Sequence, residues 1–113
     1  MSIIQIFGTK KCSITRKAER FFKERGVRFQ FIDLAEKAIS KGELESVALS
    51  IPLENLIDRE SKEFERKNLK YMEFDIKEAL LENPLLIKTP IVRCGNGATC
   101  GDDPAGWKKT TGL

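Results

Sequence analysis

The chain has 113 residues, 41% hydrophobic and 33% charged, with a net charge of +3, three cysteines and no histidine. That mixture suits one globular domain able to bury a core without metal or disulfide staples. It excludes a Ser-His-Asp triad, a Cys-His pair and any His-ligated metal, and so small a positive surplus does not argue for direct nucleic-acid binding.

The opening MSIIQIFGTKKC carries an apolar run too short for a signal peptide, and no stretch approaches the ~18 apolar residues of a membrane helix. A cytoplasmic location is the default expectation. An odd cysteine count without a secretion signal favours reduced thiols.

Residues 3–7, IIQIF, predict a buried strand that ends in a Gly-Thr-Lys-Lys loop. A helix follows, with Ile14, Ala18, Phe21 and Phe22 forming one apolar stripe and Gly26 as its stop. Residues 27–34 alternate Val27, Phe29 and Phe31 with Arg28 and Gln30, which predicts a second strand. Strand, helix and strand within about 30 residues make a βαβ unit with a right-handed crossover.

The middle of the chain reads as helical. Ser40-Lys41-Gly42-Glu43 has capping-box spacing ahead of Leu44, Val47 and Ala48. Pro52 ends that element, and short helical turns are expected over 53–57 and 61–68. A further helix over 75–82 stops at Asn83-Pro84.

The end changes character. Residues 90–100 read as a hairpin turning at Asn96-Gly97. That two-residue turn sets Cys94 against Thr99 and Cys100 against Arg93, with the two sulfurs on opposite faces; a three-residue turn would bring them together. Asp102-Asp103-Pro104 then starts a last helix over 105–109, on which Trp107 is a packing residue.

The chemistry concentrates near Cys12. Residues 1–28 hold eight lysines and arginines against Glu19 and Glu24, whereas the remainder of the chain is net acidic. Cys12 falls at the mouth of the first helix, where unpaired N–H groups and the positive helix end favour a thiolate. Lys10, Lys11 and Arg16 are expected to add to this or to steer anions. A solvated helix face and an ordinary packed cysteine are the alternative readings of these features. Cys12-Ser13-Ile14-Thr15 lacks the second thiol of a C-x-x-C motif, so an oxidised Cys12 would need another thiol to resolve it. The three cysteines match no common zinc spacing. For Thr89-Pro90 alone, the base rate favours a trans bond.

Several segments together resemble one family. IQIFGTKKCSITRKAERFFKERGVRFQFIDL is similar to the opening of the arsenate reductase (ArsC) family, in its glutaredoxin-like branch related to Spx. NPLLIKTPIV resembles that family's approach to a cis-proline, and LIDRESKEF its Ser-Lys-aromatic segment. The resemblance implies an α/β, thioredoxin-like fold in the order βαβ, helical insertion, ββα, with a mixed four-stranded sheet. It implies one domain over residues 1–113, with the insertion at about 35–83.

The resemblance also assigns roles. Cys12 would be the redox nucleophile; support of its thiolate by Lys11, Thr15 and Arg16 is read from their places at the helix start, not from the family. Pro90 would be the cis-proline, presenting the Thr89 backbone to a partner thiol; Arg59 and Arg93, with Arg16, stand off the family's arginine positions and are candidate substitutes in binding substrate. No bound cofactor is implied; glutathione or a glutaredoxin-type protein would supply the resolving thiol. The substrate would be a small oxyanion, a disulfide or a glutathione adduct. Arsenate-reducing members hold their oxyanion with arginines, where this chain has Thr89, Asp102 and Glu60. The expectation is therefore a thiol-dependent oxidoreductase without efficient arsenate reduction. The alternatives are a non-catalytic Spx-like interaction protein, which would contact RNA polymerase, and a redox sensor.

Overall fold

The computed structural model describes residues 3–112. Met1, Ser2 and Leu113, included in the expected domain, lie outside the described residues. Four strands, β1 (Ile4–Gly8), β2 (Gln30–Asp33), β3 (Ile91–Cys94) and β4 (Gly97–Cys100), form one sheet in the order β2-β1-β3-β4. β1 runs parallel to β2 and antiparallel to β3, which pairs antiparallel with β4. With the six α-helices among the described residues, this is the mixed sheet of a thioredoxin-like fold.

Helix α1 (Ser13–Glu24) makes the crossover from β1 to β2. Its end is a Schellman closure: Gly26 takes φ +68°, its N–H reaches the Lys23 carbonyl, and the Val27 N–H reaches that of Phe22. Because the Val27 amide is spent on the helix, β2 starts at Gln30, later than the alternation over 27–34 predicts.

The insertion contains α2 (Lys41–Ala48), α3 (Leu53–Leu56), α4 (Lys62–Arg66) and α5 (Ile76–Glu82). The predicted capping box closes at both ends, Ser40 Oγ accepting from the Glu43 N–H and Glu43 Oε1 from the Ser40 N–H. Ser61 Oγ and Asp75 Oδ1 cap α4 and α5 one-sidedly, accepting from the Phe64 and Glu78 N–H groups. An isolated bridge, Ile57 to Ile87, ties the insertion to the chain just before β3.

The period-2 alternation divides the core between the sheet's faces. On one face Phe7, Ile32 and Ile91 pack with Leu44, Val47, Leu56, Phe64 and Leu80 of the insertion. On the other, Ile4, Ile6 and Val92 pack with Ala18 and Phe22 of α1 and Trp107 of α6 (Pro104–Thr111).

The hairpin turn differs from the expected one. Cys94 pairs with Gly97, Val92 with Thr99 and Ile91 with Cys100. The two turn residues are therefore Gly95 and Asn96, not Asn96 and Gly97. Gly95 takes φ +60°, whereas Asn96 does not enter the positive-φ region, the pattern of a type II′ turn with glycine first. Moving the turn by one residue changes every partner but keeps Cys94 and Cys100 on opposite faces. No disulfide links the three cysteines.

Candidate functional site

The antiparallel register brings two distant loops together. Ile6 lies opposite Val92 and Phe7 opposite Ile91, so the next positions, Gly8 and Pro90, fall side by side at the sheet end. Past Gly8 the chain turns through Thr9–Lys11, held by the Cys12 N–H donating to the Thr9 carbonyl at 3.2 Å. Past Pro90 toward the N-terminus stands Thr89, joined to it by a cis bond, contrary to the base rate and in line with the family expectation.

Cys12 is the N-cap of α1, with extended backbone (φ −78°, ψ 115°) and a half-buried side chain. Its sulfur receives a hydrogen bond from Thr89 Oγ1 at 3.2 Å and lies 4.0 Å from the Thr89 carbonyl. Burial pushes the thiol pKa up. The hydroxyls of Thr15 and Thr89 and the N–H groups of Thr15 and Ile14 more than offset this, leaving it below its ordinary value. This is a helix N-terminus and two hydroxyls acting on one anion.

Thr15 is wholly buried, and its Oγ1 has no hydrogen bond of regular geometry to any described atom. It sits close enough to the sulfur to favour the thiolate all the same. An unbonded buried hydroxyl is costly, and facing an anion is a physical reason to keep one. The room for it comes from Gly8: a Cβ there would stand 2.4 Å from both Thr15 Oγ1 and Cγ2. Gly8, expected in the Gly-Thr-Lys-Lys loop, is the last residue of β1. Nothing in its local context signals a contact with the third residue of α1.

The expected cationic support is not part of the arrangement. Lys11 and Arg16 are exposed, and the groups that lower the Cys12 pKa are hydroxyls and main-chain amides. Lys10 is also exposed, 3.9 Å from Glu36. Arg93 is held elsewhere: its guanidinium bonds Gln5 Oε1 and Ser46 Oγ, on the insertion side of the sheet and farther along β3 from Pro90. Arg59 stands over the Phe64 ring, 5.7 Å from its centroid. Asp102 takes two contacts from Lys17 Nζ, at 2.9 and 3.1 Å.

Cys100 is chemically the opposite of Cys12. Burial first, and then the charge of Asp58, push its pKa up to about 11, with Lys88 opposing. Its S–H donates to the Lys88 carbonyl at 3.2 Å. It is a structural thiol, held protonated at neutral pH.

A four-stranded thioredoxin-like sheet with a lowered-pKa cysteine at the first helix defines the class, and comparison with known proteins gives the family. Residues 7–110 match the ArsC family, to which this chain belongs. The chain is 30% identical over 95 residues to the "Global transcriptional regulator Spx 2" of Oceanobacillus iheyensis, covering 79% of this chain and 69% of that protein. An arsenate reductase from Vibrio cholerae superposes with a TM-score of 0.82 at 23% identity, over 96% of this chain and 98% of that one. An ArsC-family-related protein from Bacteroides fragilis gives a TM-score of 0.81 at 21% identity, over 95% and 96%. At those identities the solved structures show a shared fold.

Proposed function

We propose that the protein is a thiol-disulfide reductase in which Cys12 attacks a disulfide or a glutathione adduct. The observation that carries this is the Cys12 sulfur at the start of α1, receiving a hydrogen bond from Thr89. The Cys12 thiolate attacks one sulfur of the substrate disulfide. A new S–S bond forms to Cys12, and the other sulfur leaves as a thiolate and takes a proton from water. With Thr15 in place of a second cysteine, the mixed disulfide waits for an external thiol. A glutathione thiolate then attacks the substrate sulfur held on Cys12, releasing the Cys12 thiolate and joining glutathione to that sulfur; the product is oxidised glutathione when the held group is itself glutathione, and otherwise a mixed disulfide that a second glutathione reduces.

A disulfide is favoured over an oxyanion by the arginines. A tetrahedral oxyanion suits guanidinium forks. Arg93 is engaged with Gln5 and Ser46, Arg59 lies on the exposed insertion surface near Phe64, and Asp102 and exposed Glu60 are the wrong charge. In a glutathione-coupled assay offering arsenate and a small disulfide, the expected result is Cys12-dependent disulfide reduction with arsenate near background. Turnover unchanged in Cys12→Ser would refute the reading.

A second reading is favoured by the relative named as a transcriptional regulator. In it the same fold is a binding surface, for RNA polymerase or another partner, and Cys12 is dispensable or acts as a redox sensor. Retention of a transcription partner by Cys12→Ser, with no thiol turnover in the wild type, would select it.

A further inference from the structure

A groove of about 520 Å³ runs between α1 and the start of α6, and Cys12 does not line it. Its α1 wall is the stripe Lys17, Arg20, Phe21, Glu24 and Arg25, and its α6 wall is Pro104, Ala105 and Lys108. The floor is aromatic. Phe21 packs edge-on against Trp107, with centroids 5.3 Å apart, and the Trp107 indole N–H has no partner among the described residues.

The rim is cationic and partly prearranged. The Arg25 guanidinium lies 3.7 Å from the Phe21 ring centroid and donates to the Phe21 carbonyl. Lys17 is neutralised by Asp102, but exposed Arg20 and Lys108 have no ion-pair partner among the described residues. Glu24 is the sole acid in the lining. From Lys17 to Arg25 the wall is about 12 Å long, the reach of three or four extended residues.

The geometry points to this groove as a docking site for a short acidic segment of a partner protein, with one aromatic or aliphatic side chain seated against Phe21 and Pro104. Charge complementarity selects the acidic residues, and the apolar floor selects the anchor. The groove does not depend on the chemistry of Cys12.

The test titrates ¹⁵N-labelled full-length protein with an acetylated, amidated Glu-Asp-Phe-Glu-Glu peptide. The chain has a single tryptophan, so its indole cross-peak is an unambiguous reporter on the groove. The expected result is a saturable shift of that peak, weakened by added salt. Arg20→Glu with Lys108→Glu should weaken binding at least about tenfold. Lys62→Glu, an equal change of charge per residue on the insertion, should alter it less than about twofold, as should Cys12→Ser. Both groove substitutions are at exposed positions, and a retained thermal transition confirms folding. The proposal is overturned by no saturable shift, by equal binding of a Lys-Lys-Phe-Lys-Lys peptide, or by an equal loss in Lys62→Glu. Self-association through this face, lost in the double variant, or preference for an oligonucleotide would also overturn it.

Discussion

The hydroxyl of Thr89 donates to the sulfur of Cys12 across 3.2 Å, although the two residues stand 77 positions apart in the chain. The contact exists because Gly8 ends β1 and Pro90 immediately precedes the antiparallel β3, so the loops beyond them meet at one end of the sheet. The tertiary fold, not local sequence, supplies one of the groups that favour the thiolate.

Removing either hydroxyl tests that contribution. A hydrogen bond to a charged group is worth about 1.5–3 kcal/mol. Thr89→Val, which removes the 3.2 Å hydrogen bond, should slow Cys12 alkylation at neutral pH by about tenfold, and Thr15→Val, whose hydroxyl makes no regular hydrogen bond, should slow it by less. The double variant should slow it further. Iodoacetamide kinetics on the folded variants measure both effects.

Gly8→Ala should act through Thr15. The new methyl overlaps the Thr15 side chain, which has no free volume to enter. Overpacking of this kind costs about 1–3 kcal/mol. Chemical denaturation should show that loss, and Cys12 alkylation should slow with it. Adding Thr15→Ala should restore most of the stability but not the alkylation rate.

The two contrasting thiols predict opposite pH behaviour. Cys12 has a depressed folded pKa, so its thiolate stabilises the fold above the unfolded thiol value. That contribution is lost as pH falls through the lowered value. Cys100 has a raised one, so its contribution is present below 9.0 and is lost as pH rises through about 11. The stability gap between wild type and Cys100→Ala should therefore narrow over that range, by on the order of 2 kcal/mol. In native protein near pH 8, mass mapping should find Cys12 alkylated well before Cys100.

Arg93 separates structure from chemistry. Its two bonds join β3 to Gln5 and to α2. Arg93→Ala should cost about 1–2 kcal/mol in denaturant and change disulfide turnover by less than about twofold. A large loss of turnover at unchanged stability would return Arg93 to the substrate site.

Much of the architecture was legible because it is local. The stripe of Ile14, Ala18, Phe21 and Phe22, the Ser40–Glu43 capping box and the Asp103-Pro104 helix start all rest on neighbours a few residues apart. The position of Cys12 at a helix mouth followed from the same reading. What was misread depends on longer range or finer geometry. Asn96-Gly97 is a strong turn signal, but Gly95 offers the positive φ that a II′ turn needs first. The basic run around Cys12 looked like thiolate support, yet those side chains point to solvent and nearby hydroxyls and amides act instead. The Gly8–Thr15 approach leaves no local signature at all, since it joins a strand end to a helix across a loop.

The most direct test of the central claim is the pH dependence of Cys12 alkylation in a variant with Cys94 and Cys100 replaced by alanine. The account predicts a midpoint clearly below that of the same cysteine in the unfolded chain, moving upward in Thr89→Val. A midpoint at or above the unfolded value, unmoved by loss of the Thr89 hydroxyl, would contradict it.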